Sequence, residues 1–436
     1  MSSFVLRGGL LVGPTTSEVG DLVIEDGRIK AAGQDADAPS GAKIINAEGC
    51  WVGPGFVDLH THLREPGHEE AETIESGARA GALGGYSALV AMPNTEPALD
   101  TPTMVAYVLA RGLATPLDIA AAGAITQGRR GELLAPIAEM AALGVRLFTD
   151  DGSGVQNPAI MRKALSYAKP LGVRLAEHCE DELLAGRGVM NEGALSGRLG
   201  LAGRPALAEE LMVLRDIELV RLTGCPLHFM HLSTARSVAL VTAARREGLP
   251  VTCEVTPHHL TLDEGELSGF DPIFKVHPPL RSRLDVEGLR AALRRGEIDA
   301  VATDHAPHAP ERKDLPFDEA PAGMLNLEHA AALTYEALGD GASPEAFFSL
   351  MSRAPARIAQ LRREDENPHH SAHGGAMVAG EDANVVVFDP QRRWIVSRDR
   401  LESRATNTPY DERSLTGKVR ALIAKGRLVV EDGSLV

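Results

Sequence analysis

Cysteine is scarce: the chain has four, Cys50, Cys179, Cys225 and Cys253, and no Cys-x-x-Cys pair. Four scattered thiols exclude a disulfide framework, and reduced thiols in a cytoplasm are the expectation. No uninterrupted apolar run of about 18 residues occurs, so no membrane span is expected. The opening Met-Ser-Ser-Phe-Val-Leu-Arg lacks a basic segment before a long apolar core, so no secretory signal is expected. Positive charge is also short. Lys and Arg number 44 against 60 Asp and Glu, and the net charge of −16 disfavours a nucleic-acid partner. An anionic ligand would therefore need local Arg or His. A Gly-rich dinucleotide or phosphate-binding loop is missing too.

What remains is 436 residues, enough for one large domain and a smaller one. Asp-Leu-Val-Ile-Glu-Asp-Gly-Arg-Ile (21–29) predicts a hairpin with an Asp-Gly turn. Arg-Leu-Val-Val-Glu-Asp-Gly-Ser-Leu (427–435) echoes it. Between them, apolar strand-like runs alternate with Ala- and Leu-rich helical stretches. Strands are expected at 87–92, 117–122, 145–149, 173–177, 227–231, 251–255 and 299–303, after one in the segment 55–64. Helices are expected at 72–83, 102–112, 131–143, 157–169, 206–222, 234–247 and 285–295. Such β-then-α units predict an α/β fold with a parallel sheet, and about eight of them over 51–365 fit a (β/α)₈ barrel of the TIM type. An open doubly wound sheet is the rival, weakened by the missing Gly-rich loop. Residues 1–50 and 377–436 are expected to share a small β-sandwich. Residues 362–376, with His369, His370 and His373, read as a solvated polar linker.

Ligand-type residues stand where the apolar runs stop. His60 and His62, in Asp-Leu-His-Thr-His, project to one side of a strand. Asp150 and Asp151 follow Leu-Phe-Thr, His178 follows Leu-Ala-Glu, His231 ends Phe-Met, and Asp304 ends Val-Ala-Thr. In a barrel these positions share one face, the catalytic one. Singly, each is more often a structural hydrogen-bonding residue or a cap; His228, His258, His259 and His329 are taken as that kind. Five strands ending in ligand types make the joint pattern hard to dismiss. The nitrogen and oxygen mixture favours borderline divalent metals, zinc above all. Six ligands exceed the need of one catalytic zinc, whereas two metals sharing a carboxylate would use them all.

At this point the chain resembles bacterial dihydroorotases of the longer, class I type, within the amidohydrolase superfamily. The likeness runs through Asp-Leu-His-Thr-His-Leu-Arg-Glu-Pro-Gly (58–67), Ala-Met-Pro-Asn-Thr (91–95) and Phe-Thr-Asp-Asp-Gly (148–152). It continues in Ala-Glu-His-Cys-Glu (176–180), Met-Asn-Glu-Gly (190–193), Glu-Val-Thr-Pro-His-His-Leu (254–260) and Ala-Thr-Asp-His-Ala-Pro-His (302–308). The resemblance implies reversible hydrolysis of dihydroorotate to N-carbamoyl-aspartate, in pyrimidine synthesis. It implies two Zn²⁺ ions, with Mn²⁺ or Co²⁺ as substitutes. His60, His62 and Asp304 would bind one ion, His178 and His231 the other, and Asp151 would bridge. Asp304 would shuttle the proton. The substrate, a small anion, would meet His62, Arg64, Asn94, His277, His308, Ala322 and Gly323. In many relatives a carboxylated lysine bridges instead, within Gly-x-Lys-x-Phe; Gly-Val-Arg-Leu-Phe (144–148) carries Arg146 there, which cannot be carboxylated. Two departures stand out. His277 replaces the usual Asn before Pro-Pro-Leu-Arg, and Asn326 replaces a Gly, where a positive φ is expected. Residues 306–326 are a candidate lid. A homodimer, or association with aspartate transcarbamoylase, follows from the resemblance alone. The alternatives are another cyclic amidase, of the hydantoinase or allantoinase kind, and a non-catalytic partner of the transcarbamoylase.

Overall fold

The computed structural model describes residues 3–34, 36–362 and 369–436. Strands β1 (Ser3–Val12), β2 (Ser17–Glu25), β3 (Arg28–Gly33), β4 (Lys43–Asn46) and β5 (Trp51–Pro54) come first. Glu25 pairs with Arg28 across Asp26-Gly27, and both turn residues have positive φ, 50° and 78°. That is the backbone a two-residue hairpin loop demands, and Asp-Gly supplies it.

Only Gly55 separates β5 from β6 (Phe56–Thr61), where the parallel strands begin. They continue as β7 (Tyr86–Ala91), β8 (Asp118–Ala121), β9 (Leu147–Phe148) and β10 (Arg174–Glu177). After a minor pair, β11 (Met190–Asn191) and β12 (Gly203–Arg204), come β13 (Leu227–Phe229), β14 (Val251–Val255) and β15 (Ala300–Val301). Every residue of β6 and β7 is buried. Burial on both faces is what a parallel sheet covered by helices produces. β6, β7 and β8 form one parallel arc, and β9, β10, β13, β14 and β15 a second. Single parallel bridges, Gly123 to Phe148 and Thr61 to His305, join the arcs at both ends. Val57, Leu59, Ala88, Val90, Leu147, Ala176, Met230 and Ala302 from both arcs pack in one cluster.

The helices lie where the periodicity puts them. Pro158–Leu171 starts on Asn157, whose side chain accepts from Ala159 N, and stops at Gly172 in the left-handed region. It buries Met161, Ala164, Leu165 and Ala168, spaced as one helical stripe. The helix expected over 131–143 is shorter, Ile137–Ala142. Pro136 is tolerated only at a helix start, and the residues before it are used elsewhere: Thr126 bridges Leu134 and Ala135 N bonds Ile125 O.

Strands β16 (Val385–Ile395), β17 (Ser414–Ala424), β18 (Arg427–Glu431) and β19 (Ser434–Leu435) return to the first region. The two ends of the chain share one mixed sheet, in the order β19-β18-β17-β16-β5-β1-β2-β3 with β4 on β1. Its inner face has a core of its own, including Phe4, Leu6, Leu22, Ile24, Val52, Val385, Val387 and Ile423. The Asp432-Gly433 turn repeats the first hairpin, with φ of 48° and 76°.

The expected solvated linker needs correction. Residues 363–368 lie outside the described residues, but His373 is buried. Its Nε2 bonds Asp118 Oδ2 at 3.0 Å and its Nδ1 faces Ser87 Oγ at 2.9 Å. Ser371 N donates to the same Asp118 oxygen at 2.9 Å. The histidine therefore ties the segment before β16 to β7 and β8. Burial alone would raise the Asp118 pKa, but the bonds and charge of its partners hold it below the usual carboxylate value. That contribution is complete above the unfolded pKa of about 3.9 and is lost as pH falls below it. His373→Ala is expected to destabilise the fold by about 1–3 kcal/mol at pH 7. The deficit should shrink on acidification towards pH 3, measured by urea denaturation; a constant deficit would contradict the linkage.

Candidate metal centre and substrate pocket

All six predicted ligands sit at or just beyond the C-terminal ends of parallel strands. His60 is within β6 and His62 one residue past it. Asp151, His178, His231 and Asp304 follow β9, β10, β13 and β15. Arg64, His231 and Asp304 hold φ of 61°, 31° and 45°, a region non-glycine residues rarely adopt. Each such backbone costs about 1–3 kcal/mol, a strain that concentrates at functional sites.

Asp151 stands at the centre. Its Oδ1 lies 3.3 Å from His60 Nε2, 3.5 Å from His231 Nε2 and 3.7 Å from His178 Nδ1. Its Oδ2 lies 3.6 Å from His62 Nε2. Two groups able to hold a metal ion result, His60–His62–Asp151 and Asp151–His178–His231, and Asp151 belongs to both. Asp304 Oδ1 adds a carboxylate 2.9 Å from His62 Nε2 and 3.5 Å from His60 Nε2. His60 Nε2 is buried and, among the described residues, lacks a hydrogen-bond partner. An orphaned imidazole nitrogen facing two carboxylates fits a divalent cation.

The charges agree. Burial disfavours a proton on His60, yet Asp151 and Asp304 outweigh it and raise its pKa well above the ordinary value. Asp151 is held far below the carboxylate range, burial being overcome by His60 and the other imidazoles. The cluster therefore attracts positive charge. Burial pushes His178 down to about 4, which leaves it a neutral ring with a lone pair to give.

Neighbours fix the ring orientations. His60 donates Nδ1–H to Glu254 Oε1 at 3.2 Å, and Glu254 Oε2 takes a hydrogen bond from His228 Nε2 at 3.0 Å. Burial opposes ionisation of Glu254, but its two histidines bring it down to about 2. His62 donates Nδ1–H to Asn94 Oδ1 at 2.8 Å, which frees Nε2 for the cluster. Such partners set which nitrogen can ligate. Sequence reasoning missed Glu254, although a lone carboxylate inside Val-Thr-Cys-Glu-Val was a signal. It also set His228 aside. Asp150, by contrast, is outside the cluster and accepts from Ile125 N, Thr126 N and the Thr126 hydroxyl.

A cavity of about 170 Å³ opens onto five of the six ligands, and Arg64, Asn94, His277, His308, Ala322 and Gly323 line it as well. A larger one, about 710 Å³, lined by Arg353, Arg357 and His373, holds neither ligand group, so size alone does not locate the site. Arg64 donates Nε–H to Pro307 O at 3.1 Å; burial lowers its pKa to about 10, and it keeps its charge at neutral pH. His308 donates Nε2–H to Ala322 O at 2.7 Å. Gly323 N donates to Lys275 O, and Gly323 O accepts from the Asn407 amide. The backbone expected to meet the ring is thus largely paired already. A Cβ on Gly323 would come within 2.8 Å of His308 Nε2, so only glycine fits there.

Three expectations change. His277 Nε2 lies 2.8 Å from Glu180 Oε1 and 2.5 Å from Arg204 Nη1, so this ring nitrogen is already engaged by an Arg204–Glu180 ion pair that sequence reasoning did not single out. Arg146 lies outside the site and donates to Ala141 O and Val145 O, so its chemistry has no bearing on the bridge. Asn326 is absent from the residues with positive φ. Its side chain, not its backbone tolerance, is what matters there. The candidate lid is pinned by two ammonium groups: Lys313 Nζ donates to Pro272 O and Pro321 O, and Lys275 Nζ to Phe317 O and Asp318 O.

With the geometry in place, comparison with known proteins is informative. A family model described as Dihydro-orotase-like matches residues 49–237. A dihydroorotase of Anaeromyxobacter dehalogenans (strain 2CP-C) is 43% identical over 434 residues, 98% of each chain. One from Mycobacterium tuberculosis is 43% identical over 420 residues, 95% of this chain and 96% of the other. In fold, the chain superposes on an L-hydantoinase from Arthrobacter aurescens with a TM-score of 0.88 at 23% identity, covering 100% and 98% of the two chains.

Proposed function

The chain belongs to the dihydroorotase family, and from that premise we propose that it hydrolyses the cyclic amide of dihydroorotate reversibly to N-carbamoyl-aspartate. The observation that carries this reading is Asp151, shared by two histidine groups beside a cavity that also holds Arg64. We read the two bridged parallel arcs as a closed (β/α)₈ barrel over about 51–365. The terminal sheet is then a second domain, a sandwich from 1–50 and 377–436 that β5, at the start of the barrel segment, joins into one sheet.

His60, His62 and Asp304 would hold one metal ion and His178 and His231 another, with Asp151 between them. Two zinc ions bound there would polarise the ring carbonyl and make water a nucleophile near neutral pH. Arg64 pairs its planar fork with the substrate carboxylate and so sets the ring over the cluster. Asn94 fixes the His62 ring, and His308 closes the far wall. Asp304 takes the proton of the attacking water and returns it to the ring nitrogen as the carbon–nitrogen bond breaks. In the reverse direction it takes the proton of the carbamoyl nitrogen as the ring closes and returns it to the carboxyl oxygen, which leaves as water when its bond to carbon breaks.

The test couples metal analysis to both directions of the reaction on one sample. About two metal equivalents with ring opening and ring closure are expected. Metal-replete protein inactive in both directions would overturn the proposal. A hydantoinase-like activity lacks support, since a neutral ring leaves Arg64 without its anion. Arg64→Lys keeps the charge but loses the fork, and should raise KM for dihydroorotate about tenfold or more with a smaller change in kcat. An unchanged KM would remove Arg64 from the carboxylate.

A further inference from the structure

Next to the metal cluster lies a histidine that the mechanism above leaves unused. His258 is the second residue of the short helix Pro257–Thr261 and is fully buried. Its neighbour His259 has both ring nitrogens occupied, Nδ1 by Thr256 Oγ1 at 2.8 Å and Nε2 by Pro278 O at 3.0 Å. His258 has one. Its Nδ1 is 2.9 Å from Asn326 Nδ2, and its Nε2 is buried without a hydrogen-bond partner among the described residues.

Asn326 decides which nitrogen carries the proton. Its Nδ2 is also 2.9 Å from Thr303 O. A carbonyl oxygen only accepts, so the amide must face it with NH₂. The second N–H of that group then points at His258 Nδ1, which must offer its lone pair. Burial pushes the His258 pKa down to about 4, so the ring carries a single proton at pH 7, and that proton sits on Nε2. Val255 of β14 pairs with Val301 of β15, so His258 and Asp304 each stand three residues past paired positions, and Asn326 ties the ring to Thr303, the residue before Asp304. A buried N–H without an acceptor is unfavourable unless something takes it.

We propose that His258 is a positioning residue for the reaction, locked by Asn326 as the Nε2–H tautomer and donating to the Asp304 carboxylate as the substrate reacts. One Asp304 oxygen is then held, and the other is left to move the proton. Asn326 stands where the family resemblance expects glycine, which has no amide, so this lock comes from the chain's own substitution. The inference rests on the proposed role of Asp304.

The first experiment is long-range ¹⁵N–¹H correlation on histidine-labelled protein, the His258 signals being assigned by their loss in His258→Gln. The Nε2–H tautomer is expected, with Asn326→Gly shifting it towards a mixture. A wild-type Nδ1–H tautomer overturns the proposal whatever the activity, and so holds even if the enzyme proves not to open dihydroorotate. The second experiment is kinetic. His258→Leu should lower kcat about 10- to 100-fold, with KM and metal content little changed. His258→Gln, which keeps an N–H at similar reach, should recover most of the loss. An unchanged kcat in the Leu variant, or no recovery with Gln, refutes the role. Should the Leu variant fail to fold, the tautomer of the wild type still decides.

Discussion

Asp151→Ala should lose both bound metal ions together, because one carboxylate faces all four imidazoles at 3.3–3.7 Å. Without it, His60 and His62 keep only Asp304, and His178 and His231 keep only each other, their nitrogens 2.8 Å apart. The histidine pair has no negative charge left to offset a dication's desolvation, and the His60–His62–Asp304 remnant keeps one carboxylate and loses the one that ties the two groups together. Metal-ion catalysis is worth several kcal/mol, and each 1.36 kcal/mol is tenfold, so kcat should fall by about 10³-fold or more. Metal content should drop from about two equivalents to less than one. Asp151→Asn keeps the shape and separates charge from packing: it should resemble the alanine variant in metal content while folding like the parent. Retention of two equivalents in both variants would show that the bridge lies elsewhere.

Asp304→Asn separates proton transfer from metal binding. The amide fits the same space and can still accept one bond from His62, but it cannot take a proton from water. Loss of a positioned general acid–base typically costs 10²–10⁴-fold in rate, and kcat should fall by about that much. Four histidines and Asp151 remain, so most of the metal should stay bound. KM should change little, because Arg64 and not Asp304 meets the substrate carboxylate. The contrast with Asp151→Ala is the informative part: one variant loses metal and rate together, the other mainly rate. A kcat within threefold of the parent would take the proton shuttle away from Asp304.

Much of the fold was legible because its signals are local. Thr101 and Pro102 start a helix and Gly172 stops one, each within a few residues of the turn it controls. That the six candidate ligands would share one end of the sheet was legible for a related reason: a strand's last residues lie there whatever the rest of the chain does. Other residues depend on partners brought from far along the chain. Glu254 reaches His60 across 194 residues, and His373 reaches Ser87 across 286. No period or spacing announces such contacts. Asn326 was judged by its backbone, since φ can be argued from one residue, whereas its hydrogen bonds to His258 and Thr303 need the folded ring. Arg146 is a case where position and side chain carry different information. A match of motif position was given chemical meaning, but its side chain points at the carbonyls of its own loop.

The terminal sheet also constrains how the chain can be made. β5 pairs on one side with β1, already synthesised, and on the other with β16, which follows the whole series of parallel strands. A ribosome therefore extrudes every candidate metal ligand while one edge of β5 still waits. An open strand edge is a template for the wrong neighbour, and pairings this distant in sequence form slowly. On that edge, Val52, Gly53 and Pro54 find their partners only after Val385, Val386 and Val387 emerge. Completion of that seam is a late checkpoint on a candidate metal centre whose residues were all translated before it.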